Sequence, residues 1–446
     1  MLYFRRLWNL AGILCVFNAP LIFSMLQLSV WAAAMIGILL AVAFVLINIF
    51  PLPQRYPSRR LGVLRGGTDL LILFLIAVTL EIIWMVCVGI LWMPEPIDWP
   101  LFWINAGITL LAASILFWNG MIRVYCTSMQ LGIKRRIVGA LLGWVPIANI
   151  IALFFICRVT SEEYRFETEK QRINEERKDR QICKTRYPLL LVHGVFFRDS
   201  RFLNYWGRVP KELVENGAEV YYGQQQSAAS IADSGAELKE RIQEIIEETG
   251  CEKLNIIAHS KGGLDSRYAI SCLGIAPYVA SLTTINTPHK GCIFVERLLG
   301  QVPAGACQAL ANTYNHALRK MGEQNPDFMA AVSDLTEQRC RALLQEAPDQ
   351  PGIFYQSIGS KAACARSGKF PLNVSYHLVK RFDGENDGLV SVDAMQWGQR
   401  FTLVSVPGRR GVTHGDMIDL NREDIPGFDV REFYVQLVHD LQQRGL

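Results

Sequence analysis

The stretch Lys253–Tyr268, KLNIIAHSKGGLDSRY, decides the fold. LNIIA is a short apolar run suited to a buried parallel strand, and KGGLDSRYAIS after it reads as a helix. His259-Ser260-Lys261-Gly262-Gly263 stands at the junction. A strand turning into a helix at a serine, with small residues two positions to either side, is the G-x-S-x-G pattern of a nucleophile elbow. Ala258 replaces the first glycine, and alanine is the smallest step from it. Because the helix starts at the serine, its N–H groups and positive dipole end lie beneath any oxyanion forming there.

Working outward, PLLLVHG (188–194), GAEVYYG (217–223), VASLTTIN (279–286) and FTLVSV (401–406) read as strands, and 208–218 and 230–249 as helices. This βαβ succession predicts a parallel sheet with helices on both faces. A second oxyanion donor belongs to the loop after an earlier strand, and Val192-His193-Gly194-Val195 supplies it. Gly194 lets the backbone turn and the Val195 N–H aims at the oxygen, while the His193 ring serves only to fix the loop. Of the seven histidines, His193 and His259 belong to these two motifs. His289 precedes any candidate acid, His316 lies in a helical insertion, His377 in the strand-like NVSYHLVKRF, and His439 in the terminal helix. His414, in the late loop GVTHGD, remains as the base, where the order Ser…Asp…His requires it. The acid is expected to end the preceding strand. RFDGENDGLVS offers Asp383, Glu385 and Asp387, of which Asp387 is best placed and Asp383 the runner-up.

The chain has 446 residues, half of them hydrophobic and only 19% charged, with a mean hydropathy of +0.18. A soluble two-domain protein does not average on the apolar side of zero, so part of the chain belongs in lipid. The net charge of +4 is too mild to indicate nucleic acid. Residues 1–157 hold ten Lys/Arg against Asp69, Glu81, Glu95 and Asp98, and carry five apolar stretches at about 8–28, 31–50, 70–93, 101–118 and 138–157. The basic residues (Arg5, Arg6, Arg55, Arg59, Arg60, Arg65, Arg123, Lys134, Arg135 and Arg136) share one side of such a module, the cytoplasmic one. Five spans then place everything after Cys157 outside. In the alternative, Gly143, Pro146 and Asn149 keep 138–157 from crossing, and the rest of the chain returns to the cytoplasm. Glu81, mid-span, is expected to hydrogen-bond a neighbouring helix.

Residues 158–186 interleave Glu with Arg and Lys and read as a solvated helical spacer. Seven cysteines follow Cys157 with no CxxC pair, which leaves room for one or two disulfides at most.

The soluble half resembles the bacterial triacylglycerol lipases of the α/β-hydrolase superfamily. It carries YPLLLVHGV, YW, GAEVYY, AHSKGGLDSRY, ASLTTINTPHKG, ENDGLVS and THGD in that family's order, over residues 187–446. The resemblance implies Ser260, Asp387 and His414 as a catalytic triad, and Val195 and Lys261 as the oxyanion amides. It implies a helical lid at about 293–335, where IFVERLL, ACQALANTY and DFMAAVSDL are amphipathic. Many relatives bind a structural calcium near the histidine. Asp416 resembles one ligand, but Leu420 stands where a side-chain oxygen is needed and no acid matches around 361–370. No metal or other cofactor is therefore expected, and Asp416 is read as a cap of the final helix.

The expected architecture is a transmembrane module (1–157), a spacer (158–186) and an α/β-hydrolase domain (187–446). Its expected partners are an acyl-ester lipid substrate and the bilayer. Three functions fit: a membrane-tethered lipase or carboxylesterase, an acyltransferase or phospholipase using the same residues, and a non-catalytic membrane scaffold.

Overall fold

The computed structural model describes residues 2–51, 58–91, 98–143, 147–195, 204–320 and 322–446. Arg55, Glu95 and Pro146 lie outside them. The chain divides into two compact units, Met1–Ile173 and Asn174–Leu446. The division falls within the expected spacer, of which residues 158–177 are helical.

The first unit is all helical: α1 (Leu2–Phe17), α2 (Ala19–Met25), α3 (Val30–Ile49), α4 (Arg59–Leu91), α5 (Trp99–Thr127), α6 (Gly132–Leu142) and α7 (Ala148–Arg177). Among the described residues three helices, in α3, α4 and α5, are long and apolar enough to cross a membrane. A fourth is obtained if α1 and α2, bent by 74° at Asn18, count as one. The fifth expected span is not a continuous helix. The chain breaks between Leu142 and Ala148, Ile147 takes a left-handed φ of 68°, and Asn149 Nδ2 bonds back to the Gly143 carbonyl at 3.3 Å. Only the first ten residues of α7, up to Cys157, are apolar, about 15 Å of helix against the ~30 Å needed. Polar side chains tie this unit together. Asp69 pairs with Arg6 and Arg65, and Thr68 bonds Thr160 at 2.9 Å. Glu81 accepts from Asn18 Nδ2 at 2.8 Å, the expected bond to a neighbouring helix.

The second unit is built on six strands, β1 (Leu189–Val192), β2 (Val220–Tyr222), β3 (Leu254–His259), β4 (Val279–Ile285), β5 (Phe354–Ser360) and β6 (Arg400–Val404). They form one parallel sheet in the order β2-β1-β3-β4-β5-β6. Side chains alternate across it. Leu189, Leu191, Ile257 and Ile285 face α17 (Val430–Gln443), packing with Trp206, Tyr434 and Val438. Leu190, Val192, Ile256 and Ala258 face the opposite way, onto Leu238, Ile242 and Ile245 of α9 (Ile231–Thr249). Each such aliphatic side chain contributes about 1.5–3 kcal/mol on burial. Both faces are covered, so the strands are apolar runs rather than half-polar ones. The remaining helices are α8 (Val209–Glu215), α10 (Lys261–Cys272), α11 (Ile293–Gln301), α12 (Ala304–Lys320), α13 (Phe328–Ser333), α14 (Glu337–Glu346), α15 (Leu372–Phe382) and α16 (Val392–Met395).

Two sequence expectations change here. NVSYHLVKRF, read as strand-like, is the helix α15, with Tyr376 and Val379 buried one turn apart. Asp387 does not end a strand. It follows α15 in a loop that begins 22 residues or so after β5 has ended. Helices α11 to α13 form the insertion expected at 293–335, closed at its base by a bridge between Cys292 and Thr336. No disulfide is present among the described residues.

Candidate active site

Strand β3 ends at His259 and α10 begins at Lys261, which leaves Ser260 alone in the turn at φ 55° and ψ −131°. A non-glycine residue held there costs on the order of 1–3 kcal/mol and persists only when its surroundings over-determine it. They do: Ser260 N donates to the Ile285 carbonyl at 2.9 Å, and Thr287 Oγ1 donates to the Ser260 carbonyl at 2.8 Å. The small residues after it are needed for space. A Cβ on Gly262 would lie 2.3 Å from the His193 carbonyl oxygen, and one on Gly263 2.2 Å from Thr287 Oγ1. Ala258 is accommodated, fully buried, at the position of the absent glycine.

The loop after β1 passes directly over the serine. A Cβ on Gly194 would lie 2.7 Å from Ser260 Cβ, so any other residue there would push the loop away. Val195 follows, 7% exposed, and Lys261 is the first residue of α10, where a backbone N–H has no acceptor within the helix. These are the two expected oxyanion amides. The His193 ring bonds the Gly194 carbonyl through Nδ1 at 2.9 Å, the loop-fixing part expected of it. Behind the turn, Lys261 Nζ reaches Asp265 at 2.6 Å and Ser234 Oγ at 3.0 Å. Burial pushes the Asp265 carboxyl up to about 7, with Lys261 pulling the other way.

His414 Nδ1 lies 2.6 Å from Asp387 Oδ2, and its ring is 4.5 Å from that of His259, the residue preceding the serine. Asp387 is fully buried. Its Oδ1 accepts from the Leu389 and Val390 N–H groups at 2.8 and 2.7 Å, and its Oδ2 from Asn286 Nδ2 at 2.8 Å. That many donors hold the carboxylate in one orientation, with Oδ2 aimed at the imidazole. The structure thus places His414 and Asp387, each from a later loop, beside the elbow at the end of β3 that bears Ser260. It sends the other acids elsewhere. Asp383 accepts from the Ile293 and Phe294 N–H groups, both at 2.9 Å, capping α11, and Glu385 pairs with Lys361. His289 is buried against Thr284 and stacked on Trp397.

Asp416 is not a cap of the final helix, which Asp429 caps by accepting from Arg431 and Glu432. Its carboxylate is held by Arg410, Nη1 to Oδ2 at 2.9 Å and Nη2 to Oδ1 at 3.0 Å, and accepts from Thr413 N and Oγ1. A guanidinium occupies both oxygens, and calcium needs six or more oxygen ligands, so these residues do not fit that ion. Among the described residues no group of three His, Cys, Asp or Glu is placed to hold a metal. The sequence reading missed Asn286, which ends β4 at φ 50° and orients Asp387, although INTPH was in view. It also passed over the hydroxyl of Tyr205.

A six-stranded parallel sheet with helices on both faces, and a serine at the strand-to-helix turn of its third strand, is an α/β-hydrolase fold. Residues 208–354 match the family described as "Putative serine esterase (DUF676)". A triacylglycerol lipase of Vibrio cholerae is 36% identical over 240 residues, which cover 48% of this chain and 76% of that protein. Another, of Pseudarthrobacter phenanthrenivorans, is 34% identical over 165 residues, 34% of this chain and 51% of that one. The chain belongs to the triacylglycerol lipase family. It spans about half the length of the Pseudarthrobacter protein and of a Burkholderia plantarii triacylglycerol lipase. Among solved structures, the mature form of Bacillus licheniformis lipase BlEst2 aligns at 20% identity with a TM-score of 0.43, covering 57% of this chain and 92% of that one.

Proposed function

We propose that the protein is a serine hydrolase that cleaves carboxylic esters of lipids through an acyl-enzyme, tethered to a membrane by its helical unit. The observation that carries this reading is the 2.6 Å bond from His414 to the buried Asp387, on a ring packed beside the elbow that bears Ser260. Ser260 Oγ attacks the ester carbonyl as His414 Nε2 takes its proton. The N–H groups of Val195 and Lys261 stabilise the oxyanion. The alcohol leaves with the proton from His414. Water, deprotonated by His414, then attacks the acyl-serine and releases the acid. Asp387 holds the imidazole in the tautomer that each step needs.

Lipid esters are supported over water-soluble ones by the triacylglycerol lipases among the relatives and by the apolar helices of the first unit. In this reading α11 to α13 are the lid. Four crossings, with the bent pair α1–α2 as the first, put the basic residues at 5–6, 59–65 and 123–136 on one side. An even number of crossings returns Asn174–Leu446 to that same, cytoplasmic, side, replacing the outer face expected from five spans. The test is hydrolysis of p-nitrophenyl and glycerol esters of graded chain length by purified full-length protein. Ser260→Ala is expected to lower the rate on the order of 10⁴-fold or more. A tenth of the activity surviving would sink the assignment, and transfer to an added alcohol in preference to water would make the protein an acyltransferase.

A further inference from the structure

Gly194, Tyr205 and His259 are joined in series. The Gly194 N–H donates to Tyr205 Oη at 3.0 Å, and Tyr205 Oη lies 2.7 Å from His259 Nδ1. An N–H can only donate, so Oη accepts from Gly194, and we assign the hydroxyl proton to Nδ1, the arrangement in which Tyr205 both accepts and donates. His259 is then the Nε2–H tautomer, a neutral ring that full burial keeps from taking a second proton. The ring also meets the His414 backbone, whose hydrogen bond favours the protonated form and is outweighed by burial. His259 lies edge-on to Tyr205 at 5.7 Å and to the fully buried Trp206 at 6.3 Å, and against His414 at 4.5 Å.

The hydroxyl sits where loop and nucleophile meet. A Cβ on Gly194 would be 2.7 Å from Ser260 Cβ and 2.9 Å from Tyr205 Oη, so the glycine is wedged between the two. Its N–H cannot serve the oxyanion, because it points at Tyr205. Its position does fix where the next amide, that of Val195, begins. Oxyanion donors act through preorganisation, and a misplacement of about 1 Å can cost on the order of 10²-fold in rate.

We infer that Tyr205 and His259 form a positioning dyad that holds the Gly194–Val195 backbone against Ser260 so that the oxyanion site exists before substrate arrives. Neither side chain touches a reacting atom. The inference rests on the serine-hydrolase reading and adds to it the device that couples the loop after β1 to the end of β3. It separates the two histidines that share the site: His414 moves protons, and His259 keeps its proton and receives a hydrogen bond.

The experiment uses full-length protein, a soluble p-nitrophenyl butyrate and a trifluoromethyl ketone, which the serine captures as a tetrahedral oxyanion. Tyr205→Phe is expected to lower kcat by about 10- to 100-fold, somewhat less than outright deletion of one oxyanion donor. KM should stay within about twofold, and ketone affinity should fall by the same factor as kcat/KM. Active-site titration corrects for any misfolded fraction. His259→Asn, whose Oδ1 can stand in for Nδ1, should stay near wild type, whereas His259→Phe should match Tyr205→Phe. The double Phe variant should be no worse than either single one, because both cut the same link. Unchanged kcat in Tyr205→Phe, or a fall in kcat with ketone affinity intact, would overturn the dyad. Wild-type protein that neither hydrolyses the ester nor binds the ketone would overturn the hydrolase reading, and the dyad with it.

Discussion

Replacing Asp387 by asparagine exchanges one carboxylate oxygen for an NH2 group at a place where only donors approach. Oδ1 faces two backbone N–H groups, of Leu389 and Val390, and Oδ2 faces Asn286 Nδ2 and His414 Nδ1. The amide has two settings. With its NH2 toward Leu389 and Val390, two hydrogen bonds to a charged acceptor are lost, each worth about 1.5–3 kcal/mol. With its NH2 toward His414, Nδ1 must accept, the ring proton moves to Nε2, and the imidazole can no longer take a proton from Ser260. The first setting costs stability and the second costs catalysis, by a factor of about 10⁴ in the comparable serine-protease change. The second keeps both backbone bonds, so asparagine should adopt it: a stability loss of at most about 2 kcal/mol with a rate loss of 10³–10⁴. Denaturant unfolding and initial rates on p-nitrophenyl butyrate read the two quantities separately. Asp383→Asn, at the cap of α11, should cost about 1 kcal/mol with activity within a fewfold of wild type. A near-normal rate in Asp387→Asn together with a crippled Asp383→Asn would refute this assignment of the acid.

Lys261→Met should destabilise by about 3–5 kcal/mol by leaving Asp265 buried without its partner, whereas Lys261→Met with Asp265→Leu should recover most of that loss, as urea midpoints will report. Burial holds His289 well below its ordinary 6.5, so the unfolded chain binds the extra proton, and this ring's contribution is lost as pH falls below about 6.5. The difference in stability between wild type and His289→Gln should therefore shrink by about 1.4 kcal/mol per unit between pH 6 and 5. That difference cancels the opposite trend of Asp265, and a constant difference would contradict it. Protease added to intact cells, freed of any wall, should leave the 158–186 segment uncut until the membrane is permeabilised. Cleavage from outside would restore a fifth crossing.

Most of the catalytic half was legible because its strands are short apolar runs punctuated by small residues. The elbow, the Gly194 loop and the His414 loop each carry a local pattern. NVSYHLVKRF misled because Val374, Tyr376 and Leu378 alternate as in a strand, while Tyr376 and Val379 also fit one helical face. Both periods were present, and packing chose. Asn286 and Tyr205 act through space between distant segments, which no local pattern records. The 138–157 stretch is apolar enough to suggest a span, yet Ile147 at positive φ turns the chain there and Asn149 bonds back to Gly143.

The central claim is that Ser260 carries the acyl group. Full-length protein mixed with p-nitrophenyl butyrate, quenched in acid within the first turnovers and digested, should yield the peptide containing Ser260 heavier by one butyryl group. The amount should match the burst of nitrophenol, with no adduct in Ser260→Ala. A burst without acyl on that peptide, or an adduct that persists in Ser260→Ala, would contradict the account.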